Sequence, residues 1–457
     1  MFKYELSVFI FRRDLRLDDN TGLIAALQDS KQVIPCFILD PRQVENNAYK
    51  SAASIQFMLE SLEDLNQQLQ KHSTYLYLFY GISEEIIEKI ILAKKIQAVY
   101  FNRDYTPFSR KRDQQIVEAC AQHQVDTHQF HDVLLNSPIS VLKSDGTPYR
   151  VFTPYYQHAK KFPIPQPKKN SYKNYYKSPI KFTETAAIFH RILPAWQLEL
   201  AAEGGREPCL KKLRELKNLV NYGKNRDSLS AQATSGLSPY LKFTTCSVRE
   251  IYYAIKNHLP APEAMIRELY WRDFFSMIGF YFPHVFGHSF QKKYDSLLWN
   301  NDKNLFTKWC QGETGFPVVD AGMRQLNQTG YMHNRARLIT ASFLTKDLHI
   351  DWRWGEKYFA KKLIDYDPAV NNGNWQWVAS TGTDAQPYFR IFNPWLQQKK
   401  FDPIAEYIKQ WVPELRHLDS KIIHQWYKEK YRDLKVKYPA PIVDHATEAA
   451  TAKARQK

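Results

Sequence analysis

From the N-terminus, short apolar runs alternate with helical patterns, and this alternation limits the fold more than any other feature of the chain. Leu6–Phe11, Val33–Leu39, Tyr75–Tyr80 and Ala98–Phe101 have the length and composition of buried strands. Between and after them, residues 20–28, 54–70, 83–94 and 110–123 carry helical periodicity. Repeated βαβ units of this kind predict a doubly wound parallel sheet, which takes ligands beyond the carboxyl ends of its strands. No G-x-G-x-x-G follows the first strand, so a dinucleotide site of the usual kind is not indicated. The turn F-R-R-D-L-R-L-D-D-N stands there instead, and Asp18 or Asp19 is the expected helix cap. The opening MFKYELSVFIFRRD places its apolar run directly before arginines, as a buried strand does and a signal peptide does not.

Regularity fails from His131 to about Pro194. Prolines at 138, 148, 154, 163, 165, 167 and 179 alternate with lysines and tyrosines, which predicts a long connector draped over the folded parts because its aromatics need cover. Beyond it the patterns are helical and almost free of strand alternation, and every tryptophan lies at or after Trp196. The expected architecture is therefore α/β then all-α. Residues 1–130 form a Rossmann-like domain, 131–195 a connector, 196–441 a helical domain, and 442–457 a short, frayed polar tail. The 63 basic against 47 acidic residues give a net charge of +16, which favours a polyanionic partner, nucleic acid before anionic membrane. No apolar run approaches the roughly 18 residues of a spanning helix. The five cysteines are scattered, odd in number and free of C-x-x-C spacing, which predicts reduced core thiols in a cytoplasmic protein with no metal site.

Three stretches carry chemistry. In Glu268-Leu-Tyr-Trp271-Arg272-Asp-Phe-Phe275, the acid, the indole, the guanidinium and the last phenyl fall at i, i+3, i+4 and i+7, on one helical face. Such a face is either a surface Arg–Glu pair beside a buried indole or the wall of a cavity in which Trp271 stacks on a flat ligand. The loop A-T-S-G-L-S-P-Y-L, residues 233–241, offers hydroxyls and backbone amides ahead of a helix, and it is equally an ordinary cap. Gly330–Asp384 holds four of the eleven tryptophans, a basic cluster, an asparagine–glycine turn and two carboxylates one residue apart. Residues 334–346 predict a helix with one buried face, and Pro368 ends or redirects the next one. Asp365 and Asp367 are then either a solvated terminus or part of an Arg–carboxylate pair lining a cavity.

The motifs M-H-N-R-x-R, D-x-D-P-A-x-N-N-G-x-W-Q-W and S-T-G-T-D resemble the flavin-binding core of the photolyase/cryptochrome family, with closest likeness to class I cyclobutane pyrimidine dimer photolyases. The resemblance runs from the first strand to about Pro441 and includes Y-x-V-F-T-P at 149–154 and the Phe389–Pro394 segment. It implies FAD held by Tyr222, Thr234, Ser235, Gly236, Leu237, Ser238, Trp271, Arg272, Phe275, Asn334, Arg337, Asp365, Tyr366, Asp367 and Asn371. Arg337 would pair with Asp365, and Asn371 would face flavin N5. It implies damaged DNA met by Arg226, Glu268, Trp271, Asn334, Arg335, Leu338, Trp377 and Gln397, with Lys399 and Lys400 on the backbone. Trp271 and Trp377 would sandwich a flipped dimer, Glu268 and Asn334 would hydrogen-bond it, and Trp375, Trp352 and Trp299 match the family's electron-carrying indoles.

Four departures accompany the likeness. Gly236 stands where relatives often carry a cation. Leu338 stands where dimer photolyases commonly have methionine. Met332-His333-Asn334 replaces the paired histidines of six-four photolyases. Thr106 and Phe286-Gly287-His288 occupy the places of the usual folate contacts, so the antenna site is left open among methenyltetrahydrofolate, a deazaflavin, a flavin and no chromophore at all. The expectation is a monomeric, cytoplasmic enzyme that splits pyrimidine dimers by electron transfer from excited reduced FAD. The alternative is a cryptochrome-type photoreceptor without repair activity, kept alive by Leu338 and opposed by the absence of a long tail. A third reading, a DNA-binding protein without catalysis, explains the charge and not the mixed face at 268–275.

Overall fold

The computed structural model describes residues 2–194, 198–231, 233–385, 387 and 390–454. Trp196 and Phe389, on which two of the expected segments open, lie outside the described residues. The chain gathers into two compact units, one of residues 1–198, 202–220 and 235–283, the other of 199–201, 221–234 and 284–457.

The first unit is built on a five-stranded parallel sheet in the order β3-β2-β1-β4-β5, with β1 at Tyr4–Phe11, β2 at Ser30–Leu39, β3 at Tyr77–Tyr80, β4 at Ala98–Asn102 and β5 at Asp126–Phe130. Val8, Ile34, Phe79 and Val99 are buried, as strands covered on both faces by crossover helices must be. The fifth strand, D-T-H-Q-F, escapes the sequence reading because it is an edge with no apolar run, and it pairs only with β4. The helix cap is also different from the one expected. Asn20, not Asp18 or Asp19, accepts the Leu23 N–H at the start of Thr21–Asp29.

The two aspartates serve a buried ionic network instead. Arg16 pairs with Asp132 with both side chains fully buried, Arg249 reaches Asp19 and Asp132 at 2.8 Å each, and Arg206 joins Asp18 at 3.4 Å and Glu250 at 2.7 Å. Thr21 adds an N–H and a hydroxyl to Asp132. The basic-then-acidic turn after β1 is thus a clamp on the helix Val248–His258 and not a solvated turn. The connector lies along the sheet: Tyr175 bridges to Val33 and Glu184 to Leu78, with Tyr175 and Ile180 buried.

In the second unit the core is aromatic and aliphatic, centred on Trp309, Phe343, Leu344, Trp352, Phe359 and Trp375. The predicted helix from Asn334 is α-helical to Ser342 and then continues as a π-turn over Phe343–Asp347. Lys346 in that turn is fully buried and donates to the Ala379 carbonyl (3.2 Å) and Ser380 Oγ (3.3 Å), capping the helix Pro368–Ala379 at its negative end. Asn372-Gly373 is not a turn but the middle of that helix, because Asp367 caps it from Ala369 and Val370 and Pro368 takes the first helical position. The expected frayed tail is corrected too. His445–Ala454 is a helix, held by His445 on Asp347 and by Glu448 on His349 at 2.8 Å. Among the described residues no helix is long and apolar enough to cross a membrane, and no cluster of His, Cys, Asp or Glu suits a metal ion.

Candidate functional site

In the first unit, the helix Glu263–Tyr281 places Glu268 at the surface, Trp271 half-buried, and Arg272 and Phe275 buried. Its face is less open than the sequence predicts. Phe152 lies flat on Trp271, centroids 3.5 Å apart and planes 6° from parallel, and Phe275 stacks at 5.5 Å. A flat ligand on the Phe152 side therefore requires that ring to give way. Arg272 donates to the carbonyls of Val133 and Leu241, and the neighbouring Asp273 accepts the N–H groups of Leu135 (3.3 Å) and Asn136 (2.8 Å). Arg272 and Asp273 together hold the 133–136 segment in place. Burial pushes the Asp273 carboxyl up to about 7, against those two N–H donors. In the loop before the helix Ser238–Phe243, Leu237 donates to Ser235 Oγ at 3.4 Å. Gly236 is left-handed (φ +63°) with open space where a Cβ would stand. A cation in the family's place would need that strained backbone, so glycine here follows from loop geometry.

In the second unit, Arg337 and Asp365 form a two-pronged pair at 3.2 and 2.8 Å, and Arg337 Nε donates to the Met332 carbonyl. Asp367 is spent as the cap already described. Tyr366 packs half-buried against the core. Arg337 lies over the Tyr331 ring at 5.4 Å, and Thr234 is a hydrogen-bond partner of Tyr331. Arg226 lies over Tyr222 at 5.9 Å. Arg335 is already engaged, with Asp227 at 2.8 Å and over Phe401 at 4.3 Å, so a phosphate would have to compete for it. Asn334 is exposed, Leu338 and Trp377 pack half-buried on the core, and Gln397 is half-buried with no partner for its Oε1.

Asn371 is buried, and its amide nitrogen donates to both the carbonyl oxygen and Oε1 of Glu356, each at 3.1 Å. The amide oxygen is the atom left to meet a ligand. Burial pushes the Glu356 carboxyl up to about 7, against the hydrogen bond from Asn371. The alternating residues of the same motif do something else: Asn372 and Gln376 donate to the Val285 carbonyl and Gln376 accepts the Phe290 N–H, pinning the 284–290 loop. Trp375 and Trp352 are buried and Trp299 is half-buried. Trp299 is anchored through Asn300 N–H on the His349 carbonyl (2.8 Å) and Asn301 Oδ1 on Asp351 N–H (2.9 Å). Gly355 lets Trp375 seat: a Cβ there would stand 2.2 Å from its ring.

Two residues escaped the sequence reading. Glu356 has no motif of its own and is found only through its bond to Asn371. His333 was visible inside M-H-N-R without an assigned task. It is buried, its Nδ1 accepts the Arg335 N–H, and its Nε2 lacks a well-formed partner among the described residues, the Arg226 backbone being the weakest of the influences on the ring. Burial lowers its pKa to about 4, so the ring is neutral and Nε2 carries the hydrogen. A buried donor without an acceptor is expensive. Together with the Asn371 oxygen, it fits a polar, hydrogen-bonding cofactor such as FAD.

A parallel α/β unit followed by a helical unit with these motifs defines a flavoprotein of the light-driven repair and sensing class, and the chain belongs to the photolyase/cryptochrome family. The family description "DNA photolyase" matches residues 7–170, and "FAD binding domain of DNA photolyase" matches residues 265–457. The deoxyribodipyrimidine photo-lyase of Alkalihalophilus pseudofirmus is 40% identical over 95% of this chain and 94% of its own length. An archaeal photolyase from Sulfolobus tokodaii, solved with two FAD molecules, is 42% identical with a TM-score of 0.88, covering 99% of both chains. A bacterial class III photolyase from Agrobacterium tumefaciens is 34% identical with a TM-score of 0.91, covering 100% of this chain and 98% of that one.

Proposed function

We infer that this protein is a deoxyribodipyrimidine photo-lyase that carries FAD and splits cyclobutane pyrimidine dimers in DNA with light. The observation that carries the reading is Asn371. It is an uncharged amide held rigidly by Glu356, and its oxygen faces away from that partner on the helix that matches the family's flavin-binding motif. Bound and reduced, FAD supplies the light-driven one-electron donation that opens the cyclobutane ring and takes the electron back.

The chain's own residues bind and orient. Tyr222, Thr234, Ser235, Gly236, Leu237 and Ser238 hold the diphosphate end of FAD. Trp271, Arg272, Phe275, Asn334, Arg337, Asp365, Tyr366 and Asp367 surround the rest, and Asn371 presents its oxygen to the N5 side. Exposed Lys399 and Lys400, with Arg226 and Gln397, meet the DNA backbone. The lesion leaves the duplex at a cost of a few kcal/mol, about the figure for any flipped base and lower at a damaged step. Glu268 and Asn334, both exposed, hydrogen-bond it, and Trp377, Leu338 and the Trp271 edge give it apolar contact. The protein acts as a monomer in the cytoplasm, where scattered free thiols stay reduced.

The second chromophore is a flavin. Thr106, in the folate-contact position, is spent as the cap of the helix Pro107–Gln122, accepting Ser109 N–H at 3.2 Å. Beyond the end of β1, Arg12 lies over Phe101 at 3.9 Å, and both Arg12 and Arg112 draw on the single carboxylate of Asp113. Burial and Arg112 pull Arg12 down to about 10, and its Nη2 has no partner. Two buried guanidiniums on one carboxylate suit an anionic group such as a second flavin's phosphate.

The test is repair. Chemically reduced protein is illuminated with an oligonucleotide bearing one cyclobutane thymine dimer, and flavin released on denaturation is counted per chain. Return of thymine absorbance in the light, strongly reduced by Glu268→Ala, with two flavins per chain, is expected. FAD bound without repair moves the protein to the photoreceptor reading.

A further inference from the structure

The expected electron path to oxidised flavin leaves Trp375 through Trp352 toward Trp299. The packing around Trp375 offers a second exit. Trp309 is fully buried and meets Trp375 edge to face, centroids 6.2 Å apart at 71°. On its other side Trp309 meets Tyr358 at 5.7 Å and 64°. Phe359 backs both indoles, stacked on Trp309 at 6.0 Å and edge-on to Trp375 at 4.9 Å. Contacts of this geometry are van der Waals contacts between π-systems, with no gap between donor and acceptor rings.

The chemistry of the three rings differs in one decisive respect, the fate of the proton after an electron leaves. Trp309 Nε1–H is buried and donates to the Thr340 carbonyl at 3.0 Å, an acceptor that cannot take the proton. An electron vacancy on Trp309 is therefore not trapped there. Tyr358 is half-buried, and its single hydroxyl hydrogen goes to the nearer acceptor, Asn327 Oδ1 at 2.6 Å, with the Cys310 carbonyl at 3.1 Å beside it and Asn327 at the surface. Burial holds the phenol pKa well above its ordinary value, so Tyr358 starts as the neutral phenol with its proton in place. Once oxidised, a phenol is a strong acid, and water at Asn327 is the base within reach.

We propose that Trp309 and Tyr358 form a second electron-donating branch that refills Trp375 and ends in a neutral tyrosyl radical at the surface. It rests on the FAD reading above and deepens it. The balance is as follows. The photoexcited oxidised flavin is the oxidant and gains one electron from Trp375. Trp309 returns one electron to Trp375, and Tyr358 returns one to Trp309. The Tyr358 O–H bond breaks, its proton passes to water, and Tyr358 is left oxidised by one electron. A thiol in solution then reduces it. The branch gives the enzyme a way to recover its reduced cofactor when the Trp352 route is blocked.

The experiment uses oxidised holoprotein, blue light and an added thiol, with flavin absorbance and electron paramagnetic resonance of frozen samples as readouts. Trp352→Phe cuts the expected path. The branch predicts that this variant still photoreduces, slowly, with a tyrosyl signal, and that Trp352→Phe/Tyr358→Phe loses both. Tyr358→Phe alone, which leaves the Trp352 packing intact, loses the tyrosyl signal under illumination, and that comparison stands even where Trp352→Phe does not fold. Absence of any tyrosyl signal in the otherwise native chain, complete loss of photoreduction in a folded Trp352→Phe protein, or a signal that survives Tyr358→Phe overturns the proposal. Dimer repair by chemically reduced native protein needs no photoreduction and tests the function separately.

Discussion

The clamp beyond β1 and the Glu356–Asn371 pair both bury charge, and they do it in opposite ways. In the clamp, Arg16 and Arg249 face Asp19 and Asp132, two cations against two anions. Burial alone would raise Asp132, but the two arginines outweigh it and hold the carboxyl far below its ordinary range. Asp132 therefore keeps its charge at every pH a cell meets. Glu356 has no ion-pair partner among the described residues, only the Asn371 amide and the weaker pull of Lys357, and burial leaves it titrating near neutrality. Paired charge fixes geometry; unpaired charge stays poised to change. The difference separates residues that build the fold from residues that serve the site.

Removing one partner breaks the first kind most severely. Asp132→Asn takes the ion-pair carboxylate from Arg16 and leaves Arg249 with Asp19, and a buried charge stripped of its partner costs about 3–5 kcal/mol. Urea unfolding should show that loss, with little dependence on pH from 5 to 8. A loss below about 1 kcal/mol, in the range of surface pairs, would erase the contrast between the two regions.

Glu356→Gln sharpens the same contrast from the other side. The folded-state pKa of about 7 lies above the ordinary carboxyl value of 4.5. The stability this group confers is complete below that ordinary value and is lost as pH rises through about 7. The wild type should therefore lose up to roughly 3 kcal/mol between pH 5 and 8 on this account. Glutamine keeps an oxygen for Asn371 and removes the titration, so the variant should lose less over that interval and be the more stable protein at pH 8. Equal pH slopes for both, in thermal unfolding of the flavin-loaded proteins, would place the titration elsewhere.

The sheet was legible because buried parallel strands are written as apolar runs, and β5 was not because an edge strand has no such run to show. Asp18 and Asp19 were misassigned as caps since a sequence cannot show that Arg206 and Arg249, some two hundred residues on, converge on them. The Asn372-Gly373 pair reads locally as a turn, and Asp367 with Pro368 overrides it by starting a helix before any such turn could begin. The residues proposed for the site were visible as motifs, but motifs carry identity and not environment. Nothing in Y-x-V-F-T-P says that Phe152 lies on Trp271, and nothing around Glu356 marks it as the partner of Asn371.

The tail helix is an intermediate case between the two ways of burying charge, and its response should be the smallest. Asp347 is buried in the π-turn with His445 on one oxygen and no partner on the other. Burial pushes its carboxyl up to about 6, against the hydrogen bond and charge of His445. The sign follows: the contribution is full under acid conditions and fades as pH rises through about 6. Glu448 on His349 is the second hold and keeps the helix from leaving outright, and Lys346, directed at Ala379 and Ser380, does not neutralise Asp347. Local opening of residues 445–454 should therefore increase severalfold from about pH 4 to about pH 7, the interval between the ordinary carboxyl value and the raised one, read as amide exchange corrected for its intrinsic pH dependence. Asp347→Asn should flatten the trend. A tail that exchanges freely at both pH values would return it to the frayed segment its composition predicts. A tail equally protected at both would show that Glu448 and the apolar contacts alone hold it, leaving Asp347 as a buried charge whose cost is met elsewhere in the fold.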